Sequence, residues 1–113
     1  MSAPLIYYRN AERPALKLWL QDDDGTLIDF SAGYTFVLKI GSPGVTALLT
    51  KSTNISGAAG AGTEPAGTPN VSVLWAAGEL NIAPGVYRWN LVATTGGLDR
   101  TFGGDITIVD VIN

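Results

Sequence analysis

Asp22-Asp23-Asp24-Gly25 is the run best equipped to collect a metal ion, since adjacent carboxylates can gather the oxygen ligands of calcium. Calcium loops of the helix-loop-helix type space their acids at alternate positions and close with a distant glutamate. Here the acids are contiguous, and the next one is Asp29. Asp and Gly are also the residues that stabilise tight turns, so the run reads as a solvated hairpin turn and no metal is assigned to it.

Other chemistry is equally thin. A glycosidase pair could be drawn from Asp24, Asp29, Glu64, Glu79, Asp99 or Asp105, but all lie in or beside turn sequences, where carboxylates are simply hydrated. No serine stands in a Gly-x-Ser-x-Gly elbow or a Ser-x-x-Lys pair. The sequence has no histidine and no cysteine. That removes the commonest general base, the thiolate nucleophile and the usual soft metal ligands. The expectation is a non-enzymatic protein with no cofactor. Trp19, Trp75 and Trp89, with Tyr7, Tyr8, Tyr34 and Tyr87, could stack on sugar rings if a flat sheet displayed them. Trp89 and Tyr34 fall on faces expected to be core. Trp19 opposes Leu18 and Leu20 along its strand, so it marks either a partner contact or packing beneath the N-terminal segment.

The elements that must carry these residues are strands. Apolar and polar residues alternate in short runs separated by Gly, Pro, Asn and Asp. Leu5 to Tyr8 can form a first strand. Leu16, Leu18 and Leu20 share one face, as do Tyr34, Phe36, Leu38 and Ile40, then Val71, Val73 and Trp75, then Tyr87, Trp89, Leu91 and Ala93, because strand side chains reverse face at each residue. Residues 26–30 are expected to return on the strand before them, and 45–51 on theirs. Residues 76–80 can make one helical turn. Gly103-Gly104 is read as a bulge or bend between strands at 98–102 and 105–111. Residues 57–69, with Gly57, Gly60, Gly62, Gly67, Pro65 and Pro69, read as a long exposed loop, since their small side chains bury too little to offset the entropy of ordering them.

A chain of 113 residues is one domain, and folding would hide roughly 65% of its extended surface. Apolar residues at 46% against 15% charged place it among globular chains. Seven basic residues scattered along the sequence, with a net charge of −3, form no cluster suited to phosphates, so neither nucleic acid nor an anionic membrane is an expected partner. No signal-peptide pattern and no membrane-length apolar run is visible, and a soluble protein not secreted by that route is expected. The fold class is therefore all-β, about seven to eight strands in a sandwich or a partly open barrel, read as an antiparallel sandwich spanning residues 1–113 with 1–12 as a possible extended arm.

Leu18-Trp19-Leu20-Gln21-Asp22-Asp23-Asp24-Gly25-Thr26-Leu27-Ile28-Asp29-Phe30-Ser31, followed by Tyr34-Thr35-Phe36-Val37-Leu38-Lys39-Ile40, resembles the opening hairpin of the N-terminal domain of tailed-phage baseplate upper proteins. Ala83-Pro84-Gly85-Val86-Tyr87-Arg88-Trp89 and Thr101-Phe102-Gly103-Gly104-Asp105-Ile106-Thr107-Ile108 resemble later segments of that family in the same order. The resemblance implies an immunoglobulin-like β-sandwich that attaches to repeated neighbouring subunits of a phage virion, in the tail, tail tip or baseplate, and is present in many copies. It departs from the family in ending at Asn113 without a receptor-facing extension and in its enlarged 57–69 loop. A capsid decoration protein is the alternative within that class, and a carbohydrate-binding module the alternative outside it. The expected contacts are Leu5, Tyr7, Tyr8 and Arg9 of the N-terminal segment, Trp19, and Glu64 of the long loop, because a terminus can add a strand to a neighbour's edge and a loop can order on docking.

Overall fold

A computed structural model describes residues 5–9, 15–42, 44–62 and 66–110. Among them are eight strands and no helix: β1 (Leu5–Tyr8), β2 (Leu16–Leu18), β3 (Thr35–Gly41), β4 (Leu49–Lys51), β5 (Ile55–Gly57), β6 (Val71–Val73), β7 (Gly85–Thr95) and β8 (Leu98–Val109). They form a five-stranded sheet in the order β1-β8-β7-β3-β4 and a three-stranded sheet in the order β2-β6-β5. The alternating residues behave as their spacing requires. Leu16 and Leu18, Phe36, Leu38 and Ile40, Val71 and Val73, Trp89, Leu91 and Ala93, and Ile106 and Ile108 are all buried and join one core cluster. Each large side chain removed from water contributes about 1.5 to 3 kcal/mol.

The spine is the β7–β8 hairpin, paired without interruption from Gly85 opposite Ile108 to Thr95 opposite Leu98. Its loop is Gly96-Gly97, with φ of 55° and 80°. Both residues need the left-handed region that a two-residue hairpin matching strand twist demands. The expected bulge at Gly103-Gly104 is absent, and β8 runs straight through. The glycines serve a different purpose: a Cβ on Gly104 would lie 2.9 Å from Nε1 of Trp89, its cross-strand neighbour. The missing side chain is the room the indole occupies.

Several expectations are corrected. The large sheet is mixed, not antiparallel, because β1 lies parallel to β8, Leu5 opposite Ile106 and Tyr8 opposite Val109. Residues 26–30 form no strand. They contribute one bridge, Gln21 to Leu27, yet Ile28 and Phe30 are buried. A side chain substitutes for the ladder: fully buried Asn70 accepts from the Leu20 N–H at 2.8 Å and donates from Nδ2 to the carbonyls of Leu20 and Ile28 at 2.8 and 2.9 Å. Of residues 45–51 only β4 is strand. Residues 76–80 make turns closed by Glu79 N–H to Ala76 and Asn81 N–H to Gly78. The 57–69 segment is not simply an exposed loop, since Gly57 belongs to β5, Ala61 and Thr68 exchange both backbone hydrogen bonds, and Ala58 donates to Asn70. Of the suggested arm, Leu5 to Tyr8 is a strand of the main sheet, while 1–4 and 10–12 lie outside the described residues.

Candidate functional site

Most of the acidic side chains considered for chemistry have partners. Asp22 pairs with Arg100, and Asp24 and Asp29 accept from the backbone N–H groups of Thr26 and Ser31. Hydrogen bonding lowers both carboxyls from their ordinary range, chiefly from the Thr26 backbone and then its side chain for Asp24, and chiefly from the Ser31 side chain and then its backbone for Asp29. Asp99 accepts from Thr94, and Asp105 from Arg88. Glu79 is not simply hydrated, as expected of it. It accepts from Nζ of buried Lys51 at 2.7 and 3.0 Å and from the Ala76 N–H at 2.7 Å. Desolvation is the largest single influence on its carboxyl and raises it; the Lys51 and Ala76 hydrogen bonds with the Lys51 charge together outweigh this and lower it. Among the described residues no three Asp or Glu side chains gather as a metal set.

Beyond these pairs, the described residues leave a patch of apolar surface exposed. On β1, side chains alternate between faces: Leu5 and Tyr7 turn inward, while Ile6 and Tyr8 are 62% and 57% exposed. The register carries this outer face across the sheet. Ile6 stands opposite Thr107, and Thr107 opposite Val86, which is 69% exposed; Tyr8 stands opposite Val109. Ile6, Tyr8 and Val86 thus crowd one end of one face. Ion pairs flank them, Arg88 with Asp105 at 3.1 Å and Arg9 with Asp110 at 3.8 Å. An apolar centre with a charged rim is the anatomy of a protein contact surface. β1 also ends the sheet, so one side of its backbone has no strand beside it among the described residues.

The expected contact residues are distributed unevenly over this surface. Tyr8 lies at its centre. Arg9 lies at its border, with Nε donating to Asn81 Oδ1 at 3.0 Å. Leu5 is half-buried against the core. Tyr7 lies beneath the surface: at 5% exposed it meets Trp75 edge-on at 5.6 Å and fastens β1 to the core. Burial raises its phenol, with the Trp75 indole opposing. Trp19 is half-buried on the outer side of β2, with an indole N–H that is covered yet has no partner among the described residues. Glu64 lies outside the described residues. Ile6 and Val86 were missed, although each alternates with inward-facing residues on an apolar strand, and an apolar residue on the second face was the available signal.

An open groove of about 720 Å³ lies between the outer face at Lys39, Arg88 and Asn90 and the loop carrying Val45 and Thr46. It has no aromatic floor. Trp75 and Trp89 are buried, so neither offers a sugar a stacking platform. Comparison of the chain with protein-family models, with curated proteins and with solved structures finds no match.

Proposed function

We propose that this chain is a non-enzymatic attachment module of a tailed-phage particle, held in the tail, tail tip or baseplate through the outer face of its large sheet. The observation that carries this reading is the exposed set Ile6, Tyr8 and Val86 on one face, beside an edge strand and inside a rim of ion pairs. Leaving three large apolar side chains in water forgoes about 1.5 to 3 kcal/mol apiece, which a neighbouring subunit would recover. The strand order supports an immunoglobulin-like sandwich: β2-β6-β5 corresponds to the B-E-D sheet, β8-β7-β3-β4 to G-F-C-C′, and β1 to a first strand lying against G. That is the architecture implied by the resemblance of residues 18–40 to the phage domain. Multiple copies would let individually weak contacts add through effective concentration.

The test is retention in particles. Val86→Asp places a charge in the apolar centre at an exposed position, leaving the fold intact by circular dichroism while the amount of the chain in purified particles of the phage encoding it falls at least tenfold, about 1.4 kcal/mol per contact. Undiminished retention overturns the assignment of this face.

A further inference from the structure

We propose that the outer edge of β1 pairs antiparallel with β1 of a second copy, joining two large sheets across a twofold axis. This names a partner for the contact surface and rests on that surface being one. The backbone geometry is fixed by one hydrogen bond: the Arg9 N–H donates to the Val109 carbonyl. Successive residues of a strand turn their N–H and C=O to opposite sides, so Leu5, Tyr7 and Arg9 face β8. The N–H and C=O groups of Ile6 and Tyr8 then face away from the sheet, and among the described residues nothing pairs with them.

Edge strands that stay single are usually blunted by proline, lysine, a bulge or an inward charge. Leu5-Ile6-Tyr7-Tyr8 has none of these. It is also self-matching. With Tyr7 opposite the partner's Tyr7, Ile6 meets the partner's Tyr8 and Tyr8 the partner's Ile6. The outward groups of these residues supply four backbone hydrogen bonds. Each of those pairs sets a β-branched side chain beside an aromatic one, a favourable cross-strand combination. Arg9 falls opposite the partner's Leu5, so no like charges meet. The four outer side chains merge into one apolar strip continuous with Val86 on both sides. Because the edge is used up once, the contact closes at two copies.

The experiment is sedimentation of the full chain over a concentration series, with a reversible dimer expected. Ile6→Pro removes an outward N–H that the β8 ladder does not use, so the chain stays folded while dimerisation weakens about tenfold or more from two lost hydrogen bonds. The sequence has no cysteine, which permits a register test. Under mild oxidation, Ile6→Cys chains mixed with Tyr8→Cys chains cross-link to each other in preference to themselves. A wild-type chain that remains monomeric, an Ile6→Pro dimer of undiminished strength, or self-linked Ile6→Cys chains in excess would each overturn the pairing. A monomer whose retention in particles still depends on Val86 removes the pairing alone. A dimer that never enters particles removes the phage assignment alone.

Discussion

The β7–β8 hairpin and the segment between β2 and β3 are held by different means. The hairpin is a run of backbone pairs from Gly85 to Thr95, each pair supported by the next. The 19–34 segment buries Ile28 and Phe30 almost as deeply, yet has a single bridge, a few separate backbone hydrogen bonds such as Ile28 N–H to Leu20 and Phe30 N–H to Ala58, and three bonds from one amide side chain at another strand boundary. In a ladder, loss of one residue is shared among its neighbours. In a side-chain clamp, several hydrogen bonds are lost together with one group. Lys51 and Glu79 repeat the second arrangement, tying β4 to the 76–80 turns.

Breaking the clamp should have the largest effect. Asn70→Leu removes all three side-chain hydrogen bonds and strands the Leu20 N–H and the Ile28 carbonyl out of water, while the Leu20 carbonyl keeps the Ile28 N–H. At ~1 to 3 kcal/mol for each buried unsatisfied group, the loss is on the order of 4 kcal/mol in denaturant unfolding. A loss below 1 kcal/mol would show that the segment is held by its apolar residues alone.

Next comes the ion pair. Lys51→Met leaves Glu79 without its cation and should cost about 3 kcal/mol at neutral pH. The carboxyl of Glu79 is depressed in the folded state, so its stabilisation is complete above its ordinary value of 4.5 and is lost as pH falls through the lower folded value. Glu79→Gln should therefore flatten the acid limb of the stability profile. A variant as acid-sensitive as wild type would assign that limb to other carboxylates.

The smallest effect belongs to the ladder. Gly96→Ala puts a Cβ on a residue at φ 55° in otherwise open space, a strain of about 1 kcal/mol, seen as a shift of a few degrees in thermal midpoint. A loss as large as that of Asn70→Leu would mean that the turn, not the ladder, holds the hairpin.

The same contrast decides what could be read from the residues. Phe36-Leu38-Ile40 and Trp89-Leu91-Ala93 declare themselves because a half-buried strand writes its burial as alternation. Asn70 and Lys51 do not, since a polar residue that goes inside looks like any other polar residue until its partners are in place. Gly103-Gly104 misleads for a related reason: absence of a side chain has the same appearance whether it permits a bend or admits Trp89. The parallel pairing of β1 is a relation between Leu5 and Ile106, and neither local sequence carries a trace of it. The exposed apolar face is half legible: Tyr8 is displayed, whereas Tyr7 beside it is buried, because period two does not say which of two apolar faces turns inward.

The parallel seam between β1 and β8 also bears on how the chain is made. Emerging from the ribosome, residues 5–8 precede their cis partner by nearly the whole length of the sequence, so this ladder forms only after β8 has been synthesised. Contacts between such distant residues carry a large loop-closure entropy and form slowly. Until then a nascent chain displays Ile6, Tyr7 and Tyr8 to whatever lies beside it, and on a crowded polysome that neighbour includes other copies at earlier and later stages of growth.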